Sequence, residues 1–311
     1  MKIINDSKYP WLAVSTDYQG DSSFSSSSDA TRAIDAAKEQ LKSTGAVSFP
    51  NFFTANAAQH AVNDMRRCED LAYTTDECHT TYLKDIDWNK FPKNSVYNHE
   101  MKTKVASTAF DELPSDSVLK KLYHDPRLLH LVSKIVDKQL YLSEDPLGCC
   151  SVNVFRPNYH HSFHFDEAEF SVTLMLQPAE DPTSGLFQYT NPLRQTSDDL
   201  ALEKTANALH LFDPEGLEGK MLYESTASAT SSTNDNDNDE DMPVLYTLDF
   251  QPGTLLIIAG SKSLHRVTQI RGTKSRLVAV LTFSSRPGFC NSAAVQKMFW
   301  GRSRQPDCPR E

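Results

Sequence analysis

Residues 147–177 read LGCCSVNVFRPNYHHSFHFDEAEFSVTLMLQ. At Leu147 the pattern of the chain changes. From here on the runs are short, several carry β-branched residues on alternating positions, and proline, glycine and polar turns separate them. CCSVNVFRP and FSVTLMLQP are followed by GLFQYT, PVLYTLDF, TLLIIAG, SLHRVTQI and RLVAVLTFS. Strand-like runs of this kind predict a double-sheet barrel or sandwich. His164 and Asp166 stand one residue apart, at the mouth of one of these strands.

Upstream, the patterning is helical. Asp29 is placed to cap a helix over ATRAIDAAKEQLKSTG, which Gly45 would end. AVSFPNFF reads as a short strand and turn. Residues 54–86 carry helical periodicity. SDSVLKKLYHDPRLLHLVSKIVDKQL predicts two helices broken around Asp125 and Pro126. The expected organisation is a flexible segment over residues 1–28, ending in the serine tract, followed by one domain over 29–311. That domain has a mostly helical part (29–146) packed on a β core (147–289), a mainly β fold with an α layer. Inside the core, STASATSSTNDNDNDED (225–241) offers no large apolar anchor and reads as a solvated loop insertion. It lacks the central glycine of an EF-hand calcium loop.

With 311 residues the chain can bury one sizeable core. Its formal net charge of −10 argues against a general binder of nucleic acids or anionic membranes. No apolar run is long enough to span a bilayer, and MKIINDSKYPWLAVSTDYQG has no apolar stretch after its lysine to act as a signal peptide. A cytoplasmic protein is the resulting expectation. Cys68, Cys78, Cys149, Cys150, Cys290 and Cys308 match neither a zinc pattern nor a disulfide framework, so reduced thiols are expected.

A lone His164 would read as a structural histidine. A second feature changes that. LHRV follows the apolar strand TLLIIAG and supplies His265, and two barrel strands can bring distant histidines together, with Asp166 completing one face. Two imidazoles and a carboxylate, with no thiolate nearby, are the facial triad suited to Fe(II), leaving three coordination positions open. A zinc hydrolase would instead need a general base beside a metal-bound water. Arg276, in KSRLVAVLTF, has apolar strand neighbours, and a buried guanidinium needs an anion. The bland partner is a structural carboxylate; the functional one is the far carboxylate of a metal-chelating dicarboxylate.

Taken together, His164-Phe165-Asp166, the distal His265 and the strand arginine Arg276 resemble the Fe(II)/2-oxoglutarate oxygenase superfamily. The resemblance covers roughly residues 147–289. It implies a double-stranded β-helix (jelly-roll, cupin-like) core flanked by the N-terminal helices. It also implies Fe(II), 2-oxoglutarate and dioxygen as metal and co-substrates, with succinate and carbon dioxide as products. HFDEAEFSVTLMLQ, GLFQYTNPLR, PGTLLIIAGSKSLHRVTQIRGTKSRLVAVLTFSSRPG and MFWGR resemble the branch of free amino-acid halogenases and hydroxylases, together with algal kainoid synthases. Halogenases of that branch have glycine where this chain has Asp166, so the resemblance implies oxygenation or oxidative cyclisation here.

The expected substrate is a small, amino-acid-derived molecule of specialised metabolism, which is hydroxylated or cyclised by a radical route. Asn153, Arg156 and His161, on the segment leading into His164, are candidates to meet its carboxylate or amine. Trp300 and Arg302 are candidates for a C-terminal lid, and one face of Phe187–Tyr189 for the cavity wall. A protein or peptide side-chain hydroxylase and a non-catalytic cupin-like sensor are the rival readings. No basic stripe with interleaved aromatics supports a nucleic-acid substrate.

Overall fold

The computed structural model describes residues 1–9, 28–84, 86–93, 95–166, 168–196, 198–213 and 242–304. The serine tract before Ser28, the Asn/Asp-rich stretch at 225–241 and Cys308 lie outside the described residues. Thirteen strands and six α-helices are described. The strands are β1 (Ala46–Phe49), β2 (Tyr73–Thr80), β3 (Glu100–Thr108), β4 (Tyr141–Leu142), β5 (Cys150–Phe155), β6 (His160–His164), β7 (Ser171–Gln177), β8 (Phe187–Thr190), β9 (Leu245–Thr247), β10 (Leu255–Ile258), β11 (His265–Val267), β12 (Arg276–Leu281) and β13 (Phe283–Ser284). The helices are α1 (Ser28–Thr44), α2 (Ala55–Arg66), α3 (Val118–Tyr123), α4 (Pro126–Val136), α5 (Leu202–Phe212) and α6 (Ala293–Trp300).

The strands form one curled antiparallel sheet in the order β1-β10-β7-β12-β5-β3-β6-β11-β8-β9, with β2 on β3 and a separate β4–β13 pair. β3 joins the two halves. It pairs with β5 through Ala106–Thr108 and with β6 through Thr103 and Lys104. The result is the expected jelly-roll half-barrel with helices on one side.

Alternation along each strand explains why the larger half is apolar on both faces. On β12, Leu277, Ala279 and Leu281 join the core under the helices, whereas Arg276, Val278 and Val280 line an internal cavity. β5 repeats the division: Val152 and Val154 face the helices, and Ser151, Asn153 and Phe155 face inward. α4 completes the outer layer with Leu128, Leu131, Val132 and Ile135, a buried stripe at helical spacing. Asp125 caps it by accepting from the Arg127 amide at 2.9 Å, and Pro126 opens its first turn. Each such fully buried aliphatic side chain stabilises the fold by about 1.5–3 kcal/mol relative to exposure.

Two readings of the N-terminal part need correction. The helical periodicity over 54–86 holds only to Arg66, because Tyr73–Thr80 is strand β2. β2 sits at the margin with much of its length exposed, so its polar residues imitate a helix surface. β3, also within the expected helical part, pairs in the middle of the sheet. Residues 1–9 are docked rather than loose. Ile4 is fully buried and bridges to Phe53, and the Tyr9 hydroxyl donates to the Pro50 carbonyl at 2.7 Å.

Candidate metal centre and cavity

β6 ends at His164, β11 begins at His265, and the two residues are register partners. Antiparallel pairing thus brings together histidines about a hundred positions apart. Asp166 follows β6, its amide donating to the Gly260 carbonyl at 3.0 Å. The His164 and His265 Nε2 atoms lie 3.5 and 3.4 Å from Asp166 Oδ1. One ligand atom from each of the three residues falls within 4.8 Å of the others. Each imidazole donates from Nδ1 to a backbone carbonyl, His164 to Ser162 at 2.8 Å and His265 to Ser263 at 2.9 Å. That fixes the tautomer and turns both Nε2 lone pairs toward the carboxylate. The Ser171 hydroxyl donates to Asp166 Oδ2 at 2.5 Å, leaving Oδ1 for the histidine side.

The electrostatics of the cluster suit a cation. Burial raises the Asp166 carboxyl, but His265 and His164 outweigh it and hold the group well below the usual carboxylate range. Burial holds His164 down to about 4. Burial also opposes charge on His265, yet Asp166 overrides it and raises that ring above its ordinary 6.5. Below that raised value a metal must displace one proton from His265. Divalent-metal affinity is therefore expected to fall by about one decade per pH unit on the acid side and to level off above it. Zn(II) or Co(II) titrations at pH 5.5, 6.5 and 8 check this; a flat profile contradicts it.

Gly260 leaves room for the carboxylate. A Cβ there would collide with Asp166 Oδ2 and crowd its Cγ. Gly260→Ala is expected to push Asp166 off its position and weaken metal binding about 10–100-fold, the cost typical of disturbing a ligand's support. Metal titration alongside circular dichroism separates this from misfolding.

A cavity of about 270 Å³ contains all three ligands and Arg276. Arg276 is 2% exposed, and its Nε has no hydrogen-bond partner. No acidic side chain pairs with it among the described residues. Its guanidinium lies 5.3 Å from the Phe155 ring and 5.8 Å from the Phe250 ring, and burial pushes its pKa down to about 9. A buried cation with no carboxylate partner is a binding group for an anion. A hard divalent metal and a dicarboxylate therefore fit the groups this cavity offers.

The other expected site residues divide. Asn153, His161 and Trp300 line the cavity, as does Phe187; Arg156 and Arg302 do not. Arg156 donates to the Glu69 carbonyl at 3.2 Å, and Arg302 is paired with Asp111 and Glu112 at 2.8 and 2.7 Å. Asn153 Oδ1 accepts from Ser107 at 2.9 Å. His161 stacks on His164 with ring centres 3.6 Å apart. Burial, then His164 and His79, hold it well below 6.5.

Several contributors had no signal in the sequence. Ser171 and Gly260 support Asp166. Asp145, fully buried, accepts from Gln296 Nε2 at 2.9 Å and Asn291 Nδ2 at 2.6 Å, and from the amides of Leu147 and Gly148. These bonds tie α6 to the barrel, and Val295, Met298, Phe299 and Trp300 line the cavity.

No protein-family model and no curated protein matches the sequence. Solved structures do match the fold. The non-heme alpha ketoglutarate dependent epimerase SnoN from nogalamycin biosynthesis aligns at a TM-score of 0.50 and 11% identity, over 82% of this chain and 83% of that one. AviO1 from Streptomyces viridochromogenes aligns at 0.49 and 11%, over 82% and 95%. HygX from Streptomyces hygroscopicus, with nickel, 2-oxoglutarate and hygromycin B bound, aligns at 0.48 and 13%, over 80% and 86%. At 11% identity, the SnoN alignment speaks to a shared fold. Among the described residues, no helix is long and apolar enough to cross a membrane.

Proposed function

We propose that this chain is a non-heme Fe(II)/2-oxoglutarate-dependent oxygenase. In this reading it oxidises an unactivated C–H bond in a small, amino-acid-derived molecule, by hydroxylation or oxidative cyclisation. The observation that carries the reading is Arg276, a buried guanidinium with no acidic partner among the described residues, in the cavity that holds the His164–Asp166–His265 set. SnoN, whose fold is similar, is ketoglutarate-dependent and belongs to nogalamycin biosynthesis, which accords with small-molecule chemistry.

Held by His164, Asp166 and His265, Fe(II) would supply, with 2-oxoglutarate and dioxygen, the oxidising power. The chain's own part is to bind, orient and exclude. His164 and His265 offer Nε2 with their tautomers fixed by Ser162 and Ser263. Asp166 offers Oδ1 while Ser171 holds Oδ2. Arg276, flanked by the Phe155 and Phe250 rings, would hold the distal carboxylate of the co-substrate. The walls fix which substrate hydrogen faces the metal, and that geometry selects between hydroxylation and ring closure.

The test is an anaerobic titration of the Fe(II) protein with 2-oxoglutarate, followed by its charge-transfer absorption. Saturable binding at one equivalent is expected, and its absence overturns the reading. Because Asp166 fills the position that a halide would take, no chlorinated product is expected even at high chloride. A chlorine isotope doublet in the product's mass spectrum would contradict that.

A further inference from the structure

The cavity has two ends, and their chemistry differs. Arg276 and Thr282 both line it, and six residues of extended chain span about 20 Å. The Arg276 end carries a charge for an anion. The far end is lined by Ser151, Val280 and Thr282 and by Val295, Phe299 and Trp300 of α6. Among the described residues, no lysine, arginine, aspartate or glutamate lines the cavity other than Asp166 and Arg276.

We infer that the cavity beyond the Arg276 guanidinium, from Leu83 and Asn153 to this far end, binds the molecule to be oxidised in an uncharged form, an apolar body carrying a neutral carbonyl or amide oxygen that Asn153 receives. The inference rests on the oxygenase reading for which end takes the co-substrate. It goes beyond that reading in ligand class: an amino-acid-derived substrate would arrive with its amine and carboxyl masked, as amides, esters or a ring.

Three observations carry it. The first is that the described residues offer no counter-charge there. A free amino acid would bury an ammonium and a carboxylate, and each unpaired charge costs orders of magnitude in affinity. The arginines best placed by sequence to pair with them are engaged elsewhere, Arg156 with the Glu69 carbonyl and Arg302 with Asp111 and Glu112. The loaded metal end offers no surplus either. A divalent ion, the Asp166 carboxylate, a dicarboxylate and the Arg276 guanidinium cancel one another.

The second observation is the polar inventory of the wall, which is neutral and partly committed. Ser107 donates to Asn153 Oδ1 at 2.9 Å and Thr282 donates to the Gly148 carbonyl at 2.8 Å. With its oxygen taken, the Asn153 amide NH2 has no partner among the described residues and remains as a neutral donor. Thr173 Oγ1 and Trp300 Nε1, in the same wall, are buried without partners.

The third is Leu83, a cavity residue held at φ 54°. A left-handed backbone is unfavourable for leucine. The turn that imposes it is closed by the Leu83 amide donating to the Thr80 carbonyl at 2.9 Å and is tied to the Asp166 segment through Phe165, whose amide donates to the Thr81 carbonyl at 2.8 Å. The fold tolerates that strain and presents an apolar side chain to the cavity.

Matched probe pairs test this. Phenylalanine, leucine and glutamate are compared with N-acetylphenylalaninamide, N-acetylleucinamide and the N-acetyl diamide of glutamate. Each is titrated calorimetrically into the anaerobic Fe(II) protein saturated with 2-oxoglutarate. The expected result is that at least one neutral probe binds and that neutral members bind tenfold or more tightly than their zwitterions. Tighter binding of a zwitterion, or no binding by any neutral probe, overturns the inference. The preceding 2-oxoglutarate titration stands apart: its failure sinks the oxygenase reading, and the same pairs titrated into the metal-free protein then decide the ligand class by the same criteria.

Discussion

His164→Ala and His265→Ala are each expected to abolish stoichiometric Fe(II) binding and 2-oxoglutarate consumption while leaving the fold in place. Each supplies one of three protein ligands, and neither alanine can replace an Nε2 lone pair. Loss of a supporting residue around a metal costs about 10–100-fold in affinity, so loss of a ligand is expected to cost roughly 100-fold or more. The fold should survive because each imidazole makes a single backbone hydrogen bond, to Ser162 or Ser263, and is not a hub of the core. Removing either ring also dissolves the local charge balance. Iron content after anaerobic reconstitution, oxygen-dependent 2-oxoglutarate loss and the thermal midpoint together check the prediction. Full iron content and turnover in either variant would remove the triad from the site.

The triad and Arg276 were legible because strand alternation and ligand chemistry coincide in them. An arginine at an inward position of RLVAVL has to face something polar, and two histidines bracketing apolar strands have few structural uses in common. β5, β7, β10 and β12 were legible for a simpler reason: largely buried on both faces, they read as mostly apolar runs. β2 and β3 were not, because β2 is an exposed margin strand and its mixture of threonine, acid and histidine carries no clear period. The substrate wall was least legible. Asp145 becomes a hub only through Gln296 and Asn291, about 150 residues away, and no local pattern encodes that pairing. Arg156 and Arg302 show the converse error. Sequence nearness to a site residue or a lid says nothing of where a long side chain points, and both are taken up by groups outside the cavity.

Arg276→Met is expected to separate binding from stability in opposite directions. Losing the charged partner of a buried carboxylate costs roughly 2–5 kcal/mol, which corresponds to a 2-oxoglutarate dissociation constant raised about 30-fold or more. The metal-free protein, by contrast, should be no less stable than the wild type. Its Arg276 is a desolvated cation with an unpartnered Nε and, among the described residues, no acid paired with it, so folding already bears that burden. Burial lowers its pKa to about 9, below the ordinary 12.5, so the folded state is the poorer proton binder. The penalty is therefore complete below about pH 9 and is relieved only as pH rises from there toward the unfolded value. Methionine fills similar space between Phe155 and Phe250 without the charge, which is the kind of exchange that leaves stability level or raises it. Arg276→Lys keeps the charge but loses the fork that matches a carboxylate, and should fall between the two. Calorimetric titration of 2-oxoglutarate and thermal melts with and without it supply both readouts. A melting temperature lowered in the metal-free Met variant would mean that Arg276 holds the barrel together. An unchanged dissociation constant would mean that another group binds the distal carboxylate.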